Sequence, residues 1–201
     1  MFNLIRRDVI LQKRQLLIFF PFILFFIIMD AHPALTFLVA SIFIPFNAFG
    51  YDEKAETNIL LNSLPYTRKE IIASRYLGAI LYMILSIVVT SLALFVFNKP
   101  FAMADIAIGG GLFLLFAAFT FPLFQIFKPG HITTVVLISF ILLVGIGPPI
   151  VKFLAEHFTA ITDFIVNLSI PALYTGAAVV IMAVYVISWG ITTVIYQRKA
   201  F

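Results

Sequence analysis

The chain has 201 residues, of which 63% are hydrophobic and 11% charged, and its mean hydropathy is +1.12. A soluble domain carries apolar usage near half and charge near a quarter, so this composition belongs in a bilayer. The absence of cysteine excludes a disulfide scaffold, a thiolate metal site and a cysteine nucleophile, and the net charge of +4 reads as membrane orientation rather than nucleic-acid binding.

The apolar residues come in long blocks rich in Phe, Leu and Ile, which predicts an all-α integral membrane protein rather than a barrel. Residues 2–15 come first. Phe2, Ile5, Val9 and Leu16 share one helical face with Arg7 and Arg14 opposite, as in a helix lying in the membrane interface. A basic flank that only sets topology fits the same residues. No small-residue cleavage site follows, so this segment is expected to be retained. Residues 16–29 and 34–51 are two short apolar stretches, read as the first and second spans of a tight hairpin about Asp30-Ala31-His32-Pro33. Whether both cross fully or the hairpin is partly re-entrant stays open; in either case the chain returns to the side it left.

Residues 52–76 hold the longest charged stretch, a cytoplasmic segment. Asp52 to Asn62 predicts a short helix whose first turn is acidic, which suits the helix dipole. Ile59, Leu60 and Leu64 give it an apolar surface and Pro65 breaks it. Thr67 and Glu70 then have capping-box spacing, so a new helix starts near Arg68 and runs into the third span. Exposed apolar residues on such a loop favour a protein partner over a solvated connection.

Residues 77–97 and 106–127 are the third and fourth spans. The fifth, 132–147, is expected to end near Gly147, because Gly145, Gly147 and Pro148-Pro149 interrupt it. In residues 150–169, Phe158, Ile161, Ile165 and Leu168 recur at helical spacing, as in a helix dipping into the outer interface; a plain surface loop is the other reading. Residues 170–196 form the sixth span. These six transmembrane helices put eleven of the thirteen Lys and Arg residues on one side and only Lys99 and Lys152 on the other, so the N- and C-termini are expected to be cytoplasmic.

The spans offer little chemistry. No phosphate-binding Gly-x-x-x-x-Gly-Lys-Ser/Thr loop occurs, and Gly109-Gly110-Gly111 reads as close helix packing. His32, His131 and His157 are too scattered for a metal site, and no serine inside a span has a base at useful spacing, so no catalytic residue is expected. Nearly every charge lies at a span end, which weakens ion coupling. Ser41, Asn47, Ser86, Thr90, Ser91, Thr120, Gln125 and Ser139 either line a path or bond a helical carbonyl. Asn47 and Gln125, the costliest to bury, are the better path candidates.

One stretch carries a family resemblance: Asp52-Glu53-Lys54, Glu56-Thr57, Leu64-Pro65, Thr67-Arg68-Lys69-Glu70-Ile71-Ile72 and Ser74-Arg75-Tyr76-Leu77, placed after two spans and before four. It resembles the segment joining the second and third membrane helices of permease subunits of ABC-2 type ATP-binding-cassette exporters. The resemblance implies the ABC-2 (type V exporter) architecture and a coupling helix docked on a separate nucleotide-binding ATPase subunit. Asp52, Glu53, Glu56, Thr57, Ile59, Leu60, Leu64 and Tyr66 would make that contact. ATP and Mg would be bound by the partner, with no cofactor or metal in this chain. It also implies a second permease copy, most simply a homodimer, with a path along the first, second and fifth segments, where Asn47 and Phe43 become path candidates.

A path so poor in charge suits a hydrophobic or amphipathic cargo, whether peptide, lipid or drug. The chain is similar to small exporters of phenol-soluble modulins, which makes a toxin peptide the first cargo expectation and a bacterial plasma membrane the expected location. A reading from another class is a non-transporting assembly or sensory subunit that recruits a soluble partner through its cytoplasmic loop.

Overall fold

Backbone groups inside hydrocarbon have no water to bond, so a chain this apolar pairs them within helices. The computed structural model describes residues 13–54, 66–127 and 131–198. Among these residues the order is α1 (Lys13–Ile28), α2 (Pro33–Lys54), α3 (Arg68–Val96), α4 (Met103–Ile126), α5 (Ile132–His157), α6 (Thr159–Val166) and α7 (Ile170–Arg198). Among the described residues, four helices are long and apolar enough to cross a membrane: α3, α4, α5 over Thr134–His157, and α7. Ile18–Ile28 and Pro33–Asn47, in α1 and α2, are shorter apolar stretches. Residues 2–12 of the expected interfacial helix 2–15, and residues 55–65 of the segment expected to be cytoplasmic, lie outside the described residues.

Helix α4 lies at the centre, packed on α2 along one side and α7 along another; α3 also touches both, α1 covers α2, and α5 leans on α4 and α2. The main core joins Phe113, Phe116, Ala117 and Phe121 of α4 to Phe46 of α2, Ile72 and Tyr76 of α3, and Tyr185 and Tyr196 of α7. A second cluster gathers Phe19, Ile23 and Ile27, spaced one turn apart on α1, with Phe37 and Ile44 of α2 and Tyr82 and Leu94 of α3.

The α2–α4 crossing is close because Gly109 lacks a side chain. A Cβ at this position would sit 2.6 Å from Phe37 Cβ and 2.8 Å from the Ala34 carbonyl oxygen, so backbone would have to move. At Gly111 the nearest atom would be the flexible Ile181 Cδ1 at 3.1 Å. Small residues let membrane helices approach in this way where no hydrophobic force draws them together.

Helices α1 and α3 end alike. Asp30 (φ 55°) and Asn98 (φ 52°) adopt the left-handed conformation that Asp and Asn tolerate. After α1, Asp30 N–H donates to Ile27 O and Ala31 N–H to Phe26 O; after α3, Asn98 N–H donates to Phe95 O and Lys99 N–H to Leu94 O. Both are Schellman closures, which satisfy the last carbonyls of each helix. They bring the two turns together, and Lys99 Nζ donates to Asp30 Oδ1 at 2.6 Å.

Two helix boundaries differ from the sequence expectation. Helix α2 continues through Asp52 and Glu53 to Lys54, so these acidic residues close a long helix rather than opening a short one. Extending a helix already formed avoids a second costly nucleation, and no proline intervenes. Helix α5 does not stop near Gly147; it passes through Pro148 and Pro149 and ends at His157. Two missing N–H donors leave fewer groups unpaired than unwinding a turn in an apolar surrounding would. Within residues 150–169, only Thr159–Val166 therefore forms a separate helix, α6, with Phe164 and Val166 exposed.

Two outcomes test this packing. Gly109→Ala should destabilise the bundle by about 1–3 kcal/mol through overpacking, and Gly111→Ala by clearly less, read as thermal midpoints in detergent. The hydrogen bond from Lys99, and then its charge, hold the Asp30 carboxyl below its usual 3.8. The folded value is the lower one, so the pair's stabilisation is present above the usual value and lost as pH falls through the depressed one. The midpoint difference between wild type and Asp30→Asn should accordingly be full at neutral pH and shrink to nothing in acid.

Candidate coupling site

Helix α3 starts with a complete capping box. Glu70 N–H donates to Thr67 Oγ1 at 3.2 Å and Thr67 N–H donates to Glu70 Oε2 at 2.9 Å, as the spacing predicts. Beside it, Arg68 Nη1 donates to the carbonyl oxygen of Gln197 at 2.8 Å, tying the start of α3 to the last turn of α7. Tyr66, the one docking candidate whose side chain is described, is half-buried and packs on the main core.

Two turns further in, three helices meet in a polar knot. Tyr76 Oη lies 2.8 Å from Ser188 Oγ and 2.7 Å from Thr192 Oγ1. Ser188 Oγ donates to Ala118 O on α4 at 2.5 Å, Thr192 Oγ1 to Ser188 O at 2.9 Å, and Tyr185 Oη to Tyr76 O at 2.9 Å. The hydroxyls of Tyr76, Ser188 and Thr192 thus make four contacts with three protons. With Ser188 and Thr192 donating to carbonyls, Tyr76 donates to one of them at a time. Trp189 stacks on the Tyr76 ring at 5.7 Å and 9°, and Phe121 meets it edge-on at 5.0 Å. All four hydroxyl-bearing residues are buried, so the bonds act in a medium of low dielectric.

The docking candidates Glu56, Thr57, Ile59, Leu60 and Leu64 lie outside the described residues, whereas Asp52 and Glu53 fall on the last turn of α2. Of the path candidates, Asn47 is half-buried and donates Nδ2–H to Phe43 O at 2.7 Å, so part of its amide is satisfied by its own helix. Phe43 meets Phe19 and Phe22 of α1 with ring centroids 5.8 and 4.7 Å away. Gln125 is buried, and Thr120 donates to Phe116 O at 2.7 Å. The knot itself carried no role in the sequence reading. Its signal was there, in Tyr185, Ser188, Thr192 and Tyr196 recurring along one stripe of α7.

Tyr76→Phe removes the shared hydroxyl and should cost about 1 kcal/mol, seen as a lowered thermal midpoint. Tyr174→Phe, on the exposed face of α7, should leave the midpoint unchanged.

The sequence model of the family described as "ABC-2 family transporter protein" matches residues 3–197. No curated protein and no solved structure matches the chain.

Proposed function

The chain belongs to the ABC-2 transporter family, and from that premise we propose that it is the permease subunit of an ATP-driven exporter energised by a separate ATPase subunit. The match across nearly the whole chain carries this reading. In it the hairpin of α1 and α2 crosses with the four long helices to make six spans, both termini face the cytoplasm, and the segment between α2 and α3 is the handle. Asp52, Glu53, Glu56, Thr57, Ile59, Leu60, Leu64 and Tyr66 meet the ATPase subunit, which binds ATP and Mg. Nucleotide chemistry belongs to the partner. This chain's part is to carry displacement into the membrane.

The capped start of α3 supports that role. A helix with a closed first turn resists unwinding when its end is pulled. Nine residues on, Tyr76 ties α3 to α7 and, through Ser188, to α4. Motion of the handle would therefore move three helices as one body. The outward faces of α1 and α5, with Phe20, Phe25, Ile138 and Ile141 exposed, suit a second permease copy. Asn47 and Phe43 would then lie beside a path between the copies. Its scarcity of charge suits an amphipathic or hydrophobic cargo, with peptide first.

The test is reconstitution of the chain with a co-purified ATPase subunit. Glu56→Ala and Leu60→Ala should each cut cargo-stimulated ATP hydrolysis by about tenfold, the loss expected of a central interface residue. The thermal midpoint of the permease alone should not change. A chain that binds no ATPase subunit, or a handle whose variants hydrolyse and transport normally, defeats the proposal.

A further inference from the structure

A hydroxyl inside a membrane helix ordinarily bonds the carbonyl one turn back. This chain does so at Thr120 with Phe116 O (2.7 Å), Thr192 with Ser188 O (2.9 Å) and Thr193 with Trp189 O (2.8 Å). Ser41, Ser86 and Thr90 depart from the habit. Each is fully buried, and none of the three hydroxyls has a hydrogen-bond partner among the described residues.

Helical spacing puts all three on stripes whose flanking residues pack together. Ser86 and Thr90 are one turn apart on α3, between Tyr82 and Leu94; Ser41 lies between Phe37 and Ile44 on α2. Those four flanking residues pack in a single cluster, and α2 packs directly on α3. A seam that never opened would be more stable with apolar side chains, because a buried hydroxyl without a partner keeps its desolvation cost and gains nothing. A stripe of unpaired hydroxyls is suited to a second arrangement in which water reaches it.

The attachments of the α1–α2 hairpin are compatible with such movement. Helices α3, α4 and α7 are joined by directional bonds through Tyr76 and Ser188. The hairpin is held at its turn by the exposed Asp30–Lys99 pair and by the close approach at Gly109. Further along, its contact with α4 is apolar, as between Phe46 and the rings of Phe116 and Phe124. Such contact has no preferred direction and tolerates sliding.

We propose that α2 and α3 part along this seam during the transport cycle, and that Ser41, Ser86 and Thr90 then form a water-facing strip that meets the polar groups of an amphipathic cargo. This rests on the reading of the chain as a transporter. It adds a moving seam inside one permease to a path between two.

The chain has no cysteine, so single-cysteine variants report cleanly. Ser41→Cys, Ser86→Cys and Thr90→Cys would be labelled with a membrane-impermeant maleimide, with Thr120→Cys as control. The full chain would be in liposomes with its ATPase subunit, nucleotide-free, during ATP turnover and after vanadate trapping. Labelling at 41, 86 and 90 should be at least about tenfold faster in one nucleotide state than without nucleotide, the signature of a shifted population, while position 120 stays unlabelled throughout. If the three positions stay dry while ATP turnover proceeds, the seam does not open and the permease reading survives alone. If position 120 labels equally, the change is general loosening and the inference fails. If no partner-dependent turnover exists, both readings fall. A second measurement needs no reagent: Ser86→Ala with Thr90→Val should raise the thermal midpoint and slow turnover, whereas a lowered midpoint or unchanged turnover would overturn the proposal.

Discussion

The contact between Tyr76 and the two hydroxyls of α7 fixes what lipid leaves undetermined. In hydrocarbon, one apolar helix gains little by exchanging a lipid neighbour for another helix, so packing alone sets position weakly. A hydroxyl bond of 2.7–2.8 Å inside an aromatic cage sets the height and rotation of α3 against α7 together. Ser188 extends the constraint to α4 through Ala118 O, and Arg68 repeats it at the helix ends through Gln197 O. These bonds define a rigid half of the bundle.

The other half is held differently. Helix α1 meets α2 through Phe, Ile and Ala side chains, and α5 touches α4 and α2 while much of its surface stays exposed. Apart from the contacts of Asp30 and His32 at the hairpin turn, such elements can shift without breaking a directional bond, whereas α3, α4 and α7 cannot separate without leaving buried hydroxyls unpaired. This division matters for a family whose members move cargo. Work done at a handle is transmitted only where the structure is stiff, and a path opens only where it is not.

Much of this was legible in the sequence, and the reason differs by element. Apolar blocks of span length, the Thr67–Glu70 spacing and the turn at Asp30 are local signals, and each appears as a helix, a capping box and a left-handed closure. Gly109 reads as a packing residue from its neighbours, although only the structure shows that its partner is the backbone of α2. The sequence places the end of α5 too early because proline rules learned in water overstate the break. In an apolar medium the unwound alternative is worse. The Tyr76 knot was hidden because its members are 112 and 116 residues apart, and hydroxyls of this type ordinarily bond their own helix.

The extension of α2 to Lys54 changes the electrostatic argument for the segment between α2 and α3. At the start of a short helix, Asp52 and Glu53 would be stabilised by the positive end of the dipole. At the end of α2 they fall on the last turn, where the negative end of the dipole typically costs an acidic residue roughly 0.3–1 kcal/mol. Lys54 offsets part of this, since Asp52, Glu53 and Lys54 together leave one net negative charge (−2 + 1). A basic docking surface on a partner would offset the cost on binding, and salt would weaken the contact by screening it. In the proposed reading, that acidity is what a cationic groove on the ATPase subunit would take hold of.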